Sequence, residues 1–402
     1  MTIASARSRR SVVVSVIGIT QTLAWASTYY LTAVFADPVA ADLHISREWF
    51  FGVVSGALLL SGLLGPVAGR TIDRRGGRDV LAMTSVLFAV GLVLMSMAHG
   101  VFGLAVAWAV LGVGMGYGLY EAAFATVADL WGREARNAIT GITLIAGFAS
   151  TIGWPTSAVL VSAFGWRGAC LGWAVLHLLL GLPMNRLLIP NAAPVVPAPP
   201  AATAGAPAVA AGGTVSWTMI VLASVFGVSW FVSASMAAHL PRLLEAMGSP
   251  VAAAVAAAAL VGPAQVAARL VEFSVLRRAS AMLSARLAVG LHPIGAVILA
   301  VVGAPAAIPF VLLHGAGNGM LTIARGTLPL ALFGAEAYGL RVGLLAAPAR
   351  ILQGAAPLVF GLVLDRGGPY AALLLSGSCM VASFLALSLL RLPGAARTVP
   401  TV

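Results

Sequence analysis

The sequence contains no lysine, because all 23 of its basic residues are arginine. A nucleotide-binding P-loop needs a lysine for the terminal phosphates, and Schiff-base enzymes form their covalent intermediate on one. The absence excludes both chemistries in this chain. It therefore also argues against an ATP-driven pump contained in a single polypeptide.

Charge is scarce as well. Charged residues make up 9% of the 402 residues, whereas 60% are hydrophobic, and a soluble domain is usually about 25% charged. Such a composition cannot cover a water-exposed surface, so lipid must surround most of the chain. The net charge of +11 indicates membrane orientation rather than a nucleic-acid partner, because of where the arginines fall.

Motifs for enzymatic or metal chemistry are missing too. The two cysteines, Cys170 and Cys379, lie in apolar runs without metal-ligand spacing or a disulfide framework. The sequence has no HExxH, no CxxC and no evident Ser/His/Asp set. We therefore expect no cofactor and no metal, and consider an integral-membrane enzyme or a sensor the weaker alternatives to a carrier.

Apolar runs of membrane-spanning length occur along the whole chain, and about twelve spans of roughly 20 residues fit its length. An uncharged Pro/Ala/Gly stretch at 191–215 divides them and is typical of a semi-rigid linker. The sequence thus predicts an all-α membrane protein with two six-helix bundles, residues 1–190 and 216–402. We number the runs 1 to 12: 12–36, 49–69, 80–98, 102–127, 138–163, 169–189, 217–238, 251–271, 285–303, 306–333, 342–364 and 370–391.

The arginines orient these runs. If the N-terminus is cytoplasmic, most of the arginines between the runs also fall on the cytoplasmic side. The arginines on the external side are Arg47, Arg167, Arg242 and Arg366. The positive-inside rule therefore predicts that both termini are cytoplasmic. Run 1 follows a basic segment but has no small-residue cleavage site, so we interpret it as a retained span rather than a signal peptide.

The two halves share a pattern. Run 2 ends in GRTID, run 8 in ARLVE, and runs 4 and 10 both carry glycine clusters, GVGMGYG and GAGNG. Several matches in the same order indicate an internal duplication. The glycines form GxxxG pairs, which favour close helix packing over a nucleotide loop.

The segment GRTIDRRGGR after run 2 resembles the loop signature of the major facilitator superfamily. The resemblance extends to the spans, the central linker and the orientation, so it covers essentially the whole chain. It implies alternating access to a central site lined by runs 1, 4, 7 and 10, with a cytoplasmic gate whose acid forms ion pairs or meets a helix terminus. The gate residues implied are Gly69, Asp73, Arg74, Gly76 and Arg78, with a degenerate second copy at Arg269 and Glu272.

Two departures from the family limit the choice of subfamily. The arginine that some proton antiporters carry before the glycines of run 4 is replaced by Trp108 and Ala109, and the glycine–proline pattern of run 5 is absent. Drug/proton efflux is therefore the alternative function rather than the favoured one.

Few ionisable residues interrupt the runs: Glu121 in run 4, Arg325 in run 10 and Arg350 in run 11. A charge at the bilayer centre costs roughly 2.5–3.5 kcal/mol even on a lenient scale, so each must face water, a partner or a substrate. We expect Glu121 to carry a proton and Arg325 to neutralise it or to bind an anion. A permanent ion pair between the halves is the structural alternative. Arg350 either adds positive charge to the cavity or bonds backbone carbonyls beside Pro348.

Further polar and aromatic residues complete the set of candidates. His239 and His314 titrate near neutrality and are candidates for proton relay, although a buried histidine often only satisfies a neighbouring helix. Other side chains in runs 1, 4, 7 and 10 are candidates for the solute path, with ordinary packing as their alternative. They are Gln21, Trp25, Tyr29, Tyr117, Tyr120, Trp230, Asn318 and Thr322.

The sequence therefore predicts a proton-coupled secondary carrier of a small organic anion or metabolite. Its partners are the lipid bilayer, the solute and protons. The absence of N-x-S/T sites and of long external loops favours a bacterial inner membrane. A monomer suffices, since each chain holds both halves of the pathway.

Overall fold

The computed structural model describes residues 3–191, 216–276 and 279–390. These ranges are helical almost throughout and contain no β-strand. The predicted linker lies outside the described residues apart from Asn191. The helices are α1 Ile3–Ala26, α2 Leu31–Asp42, α3 Arg47–Arg75, α4 Gly77–Ser96, α5 Val101–Gly118, α6 Tyr120–Trp131, α7 Arg136–Ala146, α8 Ala149–Leu176, α9 Trp217–Ala246, α10 Val251–Ala259, α11 Val261–Ser274, α12 Ala281–Val302, α13 Ala307–Phe333 and α14 Tyr338–Leu389.

Within the described residues, nine continuous helical stretches are long and apolar enough to cross a membrane. The longest, Val101–Leu188, has 88 residues, several times the roughly 20 that one crossing requires, so it holds more than one span. Gly165 turns the chain inside α8 with φ +67°, and Gly368 turns it inside α14 with φ +76°. The all-α membrane fold is thus confirmed, while the number twelve stays a prediction.

Two predicted runs are interrupted. Run 1 breaks after Ala26, where the hydroxyls of Ser27 and Thr28 donate to the carbonyls of Leu23 and Ala24 at 2.8 and 2.6 Å. Such side-chain bonds compete with regular helix bonds and bend the chain. Run 4 breaks at Leu119, whose backbone is extended (φ −87°, ψ −166°), so that a new helix, α6, begins one residue later.

Glycines bring helices into backbone contact, as their spacing predicts. A Cβ on Gly112 of α5 would lie 2.7 Å from the Ala57 carbonyl of α3, and one on Gly319 of α13 would lie 2.5 Å from the Gln265 carbonyl of α11. Both distances are far below van der Waals contact, so only glycine fits. Run 4 therefore packs on run 2 in the same way as run 10 packs on run 8.

The buried apolar side chains form three clusters. One is drawn from residues 221–390 and a second from residues 23–174. The third combines residues 13–189 with Leu330, Tyr338 and Val342, so the two parts of the chain share a core there. The division into two six-helix bundles remains a prediction that agrees with the first two clusters.

Candidate functional site

Glu121 and Arg350 meet between the two parts of the chain. Arg350 Nη2 of α14 lies 3.5 Å from Glu121 Oε1 of α6, and the two side chains are 4% and 23% exposed. Arg350 Nη1 donates to Gln353 Oε1 at 3.1 Å. Charge-assisted bonds of this type usually measure about 2.7–2.9 Å. The contact between the two charges is therefore a loose one.

The break at Leu119 explains this position of Glu121. Because α6 starts at Tyr120, the carboxylate occupies the first helical turn, where the helix dipole favours a negative charge. The sequence suggests Arg325 as its partner, but the structure places Arg350 against it instead. The interruption changes the rotation of run 4 relative to run 10, which an alignment of continuous helices does not reveal.

Arg325 lies beside this pair, and its Nε and Nη2 form no hydrogen bond with any described residue. Its Cζ stands 4.0 Å from the centroid of the Trp230 ring, and the Cζ of Arg350 stands 5.3 Å from the same centroid. Arg325 Nε and Nη2 are buried and have no hydrogen-bond partner among the described residues. Glu121, Arg350 and Arg269 are the charges that act on it electrostatically.

Arg269, which the sequence analysis places in the cytoplasmic gate, lies close to Arg325 in the structure. Its side chain is 5% exposed, Nη2 lies 3.4 Å from Thr322 Oγ1, and Nε is buried without a partner in the described part of the chain. Its proposed counterpart in the first half, Arg70, is exposed. Run 8 breaks into α10 and α11 near Leu260, so the register of run 2 is not reproduced. We call Arg269, Arg325 and Arg350 the arginine cluster.

Aromatic side chains of the first half face this cluster. Trp25 lies 5.0 Å from Tyr120 and 5.7 Å from Tyr29 between ring centroids, and Tyr29 lies 5.4 Å from Tyr30. Tyr29 lies next to Gln353 and interacts electrostatically with Arg350. Tyr30 and Tyr120 interact electrostatically with Arg269. These four rings, the aromatic wall, lie next to the arginine cluster.

Other candidates make contacts elsewhere. Gln21 Nε2 donates to the Gly118 carbonyl at 2.7 Å, inside the first half. Asn318 Oδ1 accepts from Ser233 Oγ at 2.8 Å and joins α13 to α9. Tyr117 packs against the third core cluster. These contacts support the packing alternative for these three residues.

The two histidines also lie in helix contacts. His314 Nδ1 is 3.0 Å from His292 Nδ1, and both rings are buried between α12 and α13. The His239 ring stacks on Phe360 with 5.9 Å between centroids. Each histidine therefore contacts a neighbouring helix of the second half, which agrees with a packing role for both rather than with proton relay.

Asp73 meets a helix terminus. Its two carboxylate oxygens accept from the backbone N–H groups of Gly339 and Leu340, both at 2.8 Å, at the start of α14. A carboxylate at a helix N-terminus satisfies N–H groups that have no partner in the helix and complements the dipole. One acidic residue thus connects the last turn of α3 to the second half of the chain.

The rest of the loop signature has separate contacts. Gly76 (φ +79°) turns the chain between α3 and α4, Arg74 is exposed, and Arg78 Nε donates to Asp79 at 3.0 Å. Glu272 is buried next to Ser284, within electrostatic reach of Arg136, and Oε2 lacks a partner among the described residues. Within the described part of the chain, the degenerate second copy therefore forms no equivalent of the Asp73 contact.

Gly69 allows the close approach that this contact needs. A Cβ at Gly69 would lie 1.9 Å from the Gly339 carbonyl, and one at Gly343 would lie 2.3 Å from the Gly65 carbonyl. We call this run of backbone contact between α3 and α14 the glycine seam. Arg136 adds a second link between the halves, because its Nη1 donates to the Ala279 carbonyl at 2.6 Å, a contact that no sequence pattern predicts.

The glycine seam yields a stability prediction. Gly69→Ala should lower the free energy of unfolding by about 1–3 kcal/mol, the usual cost of overpacking, and should lower the Tm measured in detergent. Gly56→Ala is the matched control in α3, because nothing lies within 4 Å of a Cβ there. Equal Tm values for the two variants would contradict a tight seam.

Comparison with known proteins agrees with this architecture. The family model of the Major Facilitator Superfamily matches residues 17–324. The human organic anion transporter MFSD10 superposes with a TM-score of 0.72 at 15% identity, covering 94% of this chain and 99% of that one. The proton:xylose symporter XylE superposes with a TM-score of 0.71 at 14% identity, covering 94% and 95%. At such identities the structures show a shared fold.

Relatives in sequence match shorter segments. The vacuolar basic amino acid transporter 1 of Saccharomyces cerevisiae is 26% identical over 122 residues, which are 30% of this chain and 21% of that protein. A 38 kDa protein from a 23S RNA operon of Thermoproteus tenax is 30% identical over 151 residues, 36% of this chain and 39% of that protein. The chain thus aligns with less than half the length of either relative.

Proposed function

Since the chain belongs to the Major Facilitator Superfamily of membrane transporters, we propose that it carries a small organic anion, coupled to protons, by alternating access to one central site. The observation that supports this most directly is the unpaired edge of Arg325, whose Nε and Nη2 are buried without a partner among the described residues. Buried guanidinium groups without partners are costly. An anionic substrate supplies the missing acceptors.

The charge of the site favours the same conclusion. The arginine cluster contributes three positive charges, and Glu121 is the negative charge that acts on Arg325. A neutral substrate would leave this excess uncompensated in a site surrounded by low-dielectric protein and lipid. A cationic substrate would add to it. A small anion is the class of solute that this electrostatic environment stabilises.

Proton coupling follows from the loose pair of Glu121 and Arg350. Arg350, Arg325, Tyr120 and Tyr338 are the ionisable groups that face the Glu121 carboxylate. When a proton neutralises Glu121, Arg350 loses its counter-ion and gains affinity for an anion. Binding of a proton and binding of an anion thus assist each other, and by thermodynamic linkage the assistance is mutual.

Alternating access is consistent with how the halves are joined. Asp73, the glycine seam and Arg136 connect them at one end, which the arginine distribution predicts to be cytoplasmic. In the proposed cycle these contacts break when the site opens to that side. We further propose a bacterial cytoplasmic membrane, cytoplasmic termini, two six-helix halves and a monomeric unit. Membership of a transporter family disfavours an enzyme or a sensor.

The named substrates of similar proteins bear on the choice of solute. The human structural neighbour is titled an organic anion transporter, in agreement with an arginine-rich site. The yeast relative is named for basic amino acids, and three arginines would repel a cation of this kind. Cationic drug efflux is disfavoured for the same reason.

Counterflow in proteoliposomes tests the proposal. We expect the protein to exchange radiolabelled small organic acids from a screened panel, and Arg325→Gln to lower the exchange rate by about tenfold or more, since a lost charged hydrogen bond costs about 1.5–3 kcal/mol. Arg242→Gln is the matched control, because Arg242 forms an exposed ion pair with Asp365 at the end of α9. Exchange that is insensitive to Arg325→Gln, or absent for every acid, would contradict an anion site.

A further inference from the structure

The net positive charge of the central site exceeds the negative charge of a single carboxylate. Its three guanidinium groups and one carboxylate give 3 − 1 = +2 when Glu121 is ionised. Glu272, the nearest acid on α11, is directed instead to Ser284 and Arg136. We propose, on the basis of the anion-carrier function above, that the substrate is a short dicarboxylate bound as a dianion.

The free atoms of Arg325 define the first carboxylate position. Nε and Nη2 are the two nitrogens on one edge of the guanidinium group, and both are buried without a partner among the described residues. This edge presents two parallel N–H groups that match the two oxygens of one carboxylate. Trp230 fixes the plane of the group from one side, at 4.0 Å, so the edge is pre-oriented.

Arg350 and Gln353 provide the second position. Gln353 Nε2 is buried and has no hydrogen-bond partner in the described part of the chain, while its Oε1 is held by Arg350 Nη1 at 3.1 Å. Arg350 Nη2 makes the loose 3.5 Å contact with Glu121. A carboxylate that displaces Glu121 from Arg350 also gains the free amide N–H of Gln353.

Trp230 sets the length of the substrate. The Cζ atoms of Arg325 and Arg350 lie 4.0 and 5.3 Å from the centroid of the Trp230 ring, so the two Cζ atoms are at most 9.3 Å apart. Two carboxylates bound to groups this close together are matched best by a short carbon chain between them. A long-chain diacid would have to fold back, and a monocarboxylate would leave one guanidinium group unpaired.

Matched probes test the inference. Succinate, its monoamide succinamate and butyrate share a four-carbon chain but differ in charge and in hydrogen-bonding ends. We expect succinate to compete for counterflow with an affinity at least about tenfold higher than either monoanion, because a site built for a polar group rejects an analogue that lacks it. Arg350→Gln should reduce succinate affinity toward that of butyrate, so that the preference for the diacid over the monoacid is lost, which a general folding defect would not do.

The outcomes separate this inference from the proposed function. Equal affinities of wild-type protein for succinate, succinamate and butyrate, with exchange still lost in Arg325→Gln, would overturn the dicarboxylate and leave an anion carrier. Failure of all acids to exchange would overturn both. The selectivity of the unmodified protein decides the matter even if Arg350→Gln does not fold.

Discussion

Replacement of Glu121 by glutamine should abolish accumulation of the solute driven by a pH gradient while leaving solute exchange largely intact. Glutamine keeps the size and hydrogen-bonding capacity of the side chain but can neither bind nor release a proton. Arg350, 3.5 Å away, would then lack its counter-ion permanently, as it does in the protonated form of the native protein. We expect a loss of at least about tenfold in gradient-driven uptake, equivalent to ~1.4 kcal/mol of coupling.

The pH dependence of binding gives the second half of this prediction. In the native protein, apparent solute affinity should rise as the pH falls, because protonated Glu121 no longer competes for Arg350. In Glu121→Gln it should be high and nearly independent of pH, because the variant imitates the protonated state. Concentration dependence of counterflow, measured at several pH values, tests both, and linkage requires the two effects to change together.

Glu134→Gln is the control for this experiment. Glu134 is 81% exposed and pairs with Arg10 at 3.2 Å, so it offers the same chemical change on an arginine-paired carboxylate outside the central site. Full gradient-driven uptake in Glu121→Gln would mean that the proton travels elsewhere. The pair with Arg350 would then be a structural contact between the halves.

Most of the fold can be predicted from the sequence because the bilayer imposes a simple rule. A run of about 20 apolar residues has one stable conformation in lipid, the helix. The few charged residues are excluded from the lipid-facing surface, so they mark the ends of the helices or the protein interior. Glycine spacing likewise predicts which helices touch, since Gly112 and Gly319 permit a backbone approach that no other residue allows. Both inferences depend on local composition and not on the exact rotation of a helix.

The partners within the site could not be predicted in the same way. Glu121 contacts Arg350 rather than Arg325 because run 4 is broken at Leu119, and each residue of a helix turns its side chain by about 100°. Arg269 turns into the site although its sequence context resembles the gate. A hydropathy profile does not reveal such helix breaks, because the residues at the break are as apolar as their neighbours. A polar residue one turn away is the signal that remains, as with Gln353 beside Arg350 and Gln265 beside Arg269.

Removal of the Asp73 carboxylate should open the end of the molecule that it holds closed. In Asp73→Ala the N–H groups of Gly339 and Leu340 lose the two 2.8 Å bonds that join the start of α14 to the last turn of α3. Bonds to a charged acceptor are worth about 1.5–3 kcal/mol each, so the balance between the closed and open forms should shift by tenfold or more toward the open form. The glycine seam would then be held by packing alone.

Alkylation of a single reporter cysteine measures this shift. With Cys170 and Cys379 replaced by alanine, Ile139→Cys is a suitable reporter, because Ile139 is fully buried and adjoins Gly326 of α13. A maleimide should label it slowly in the parent and about tenfold faster in Asp73→Ala. Asp79→Ala is the matched control, since Asp79 lies nearby in the first turn of α4 but pairs with Arg78 and Arg186 of the first half. If Asp73→Ala and Asp79→Ala label at the same rate, Asp73 does not hold the halves together, and the gating role must pass to Arg136 or to the seam.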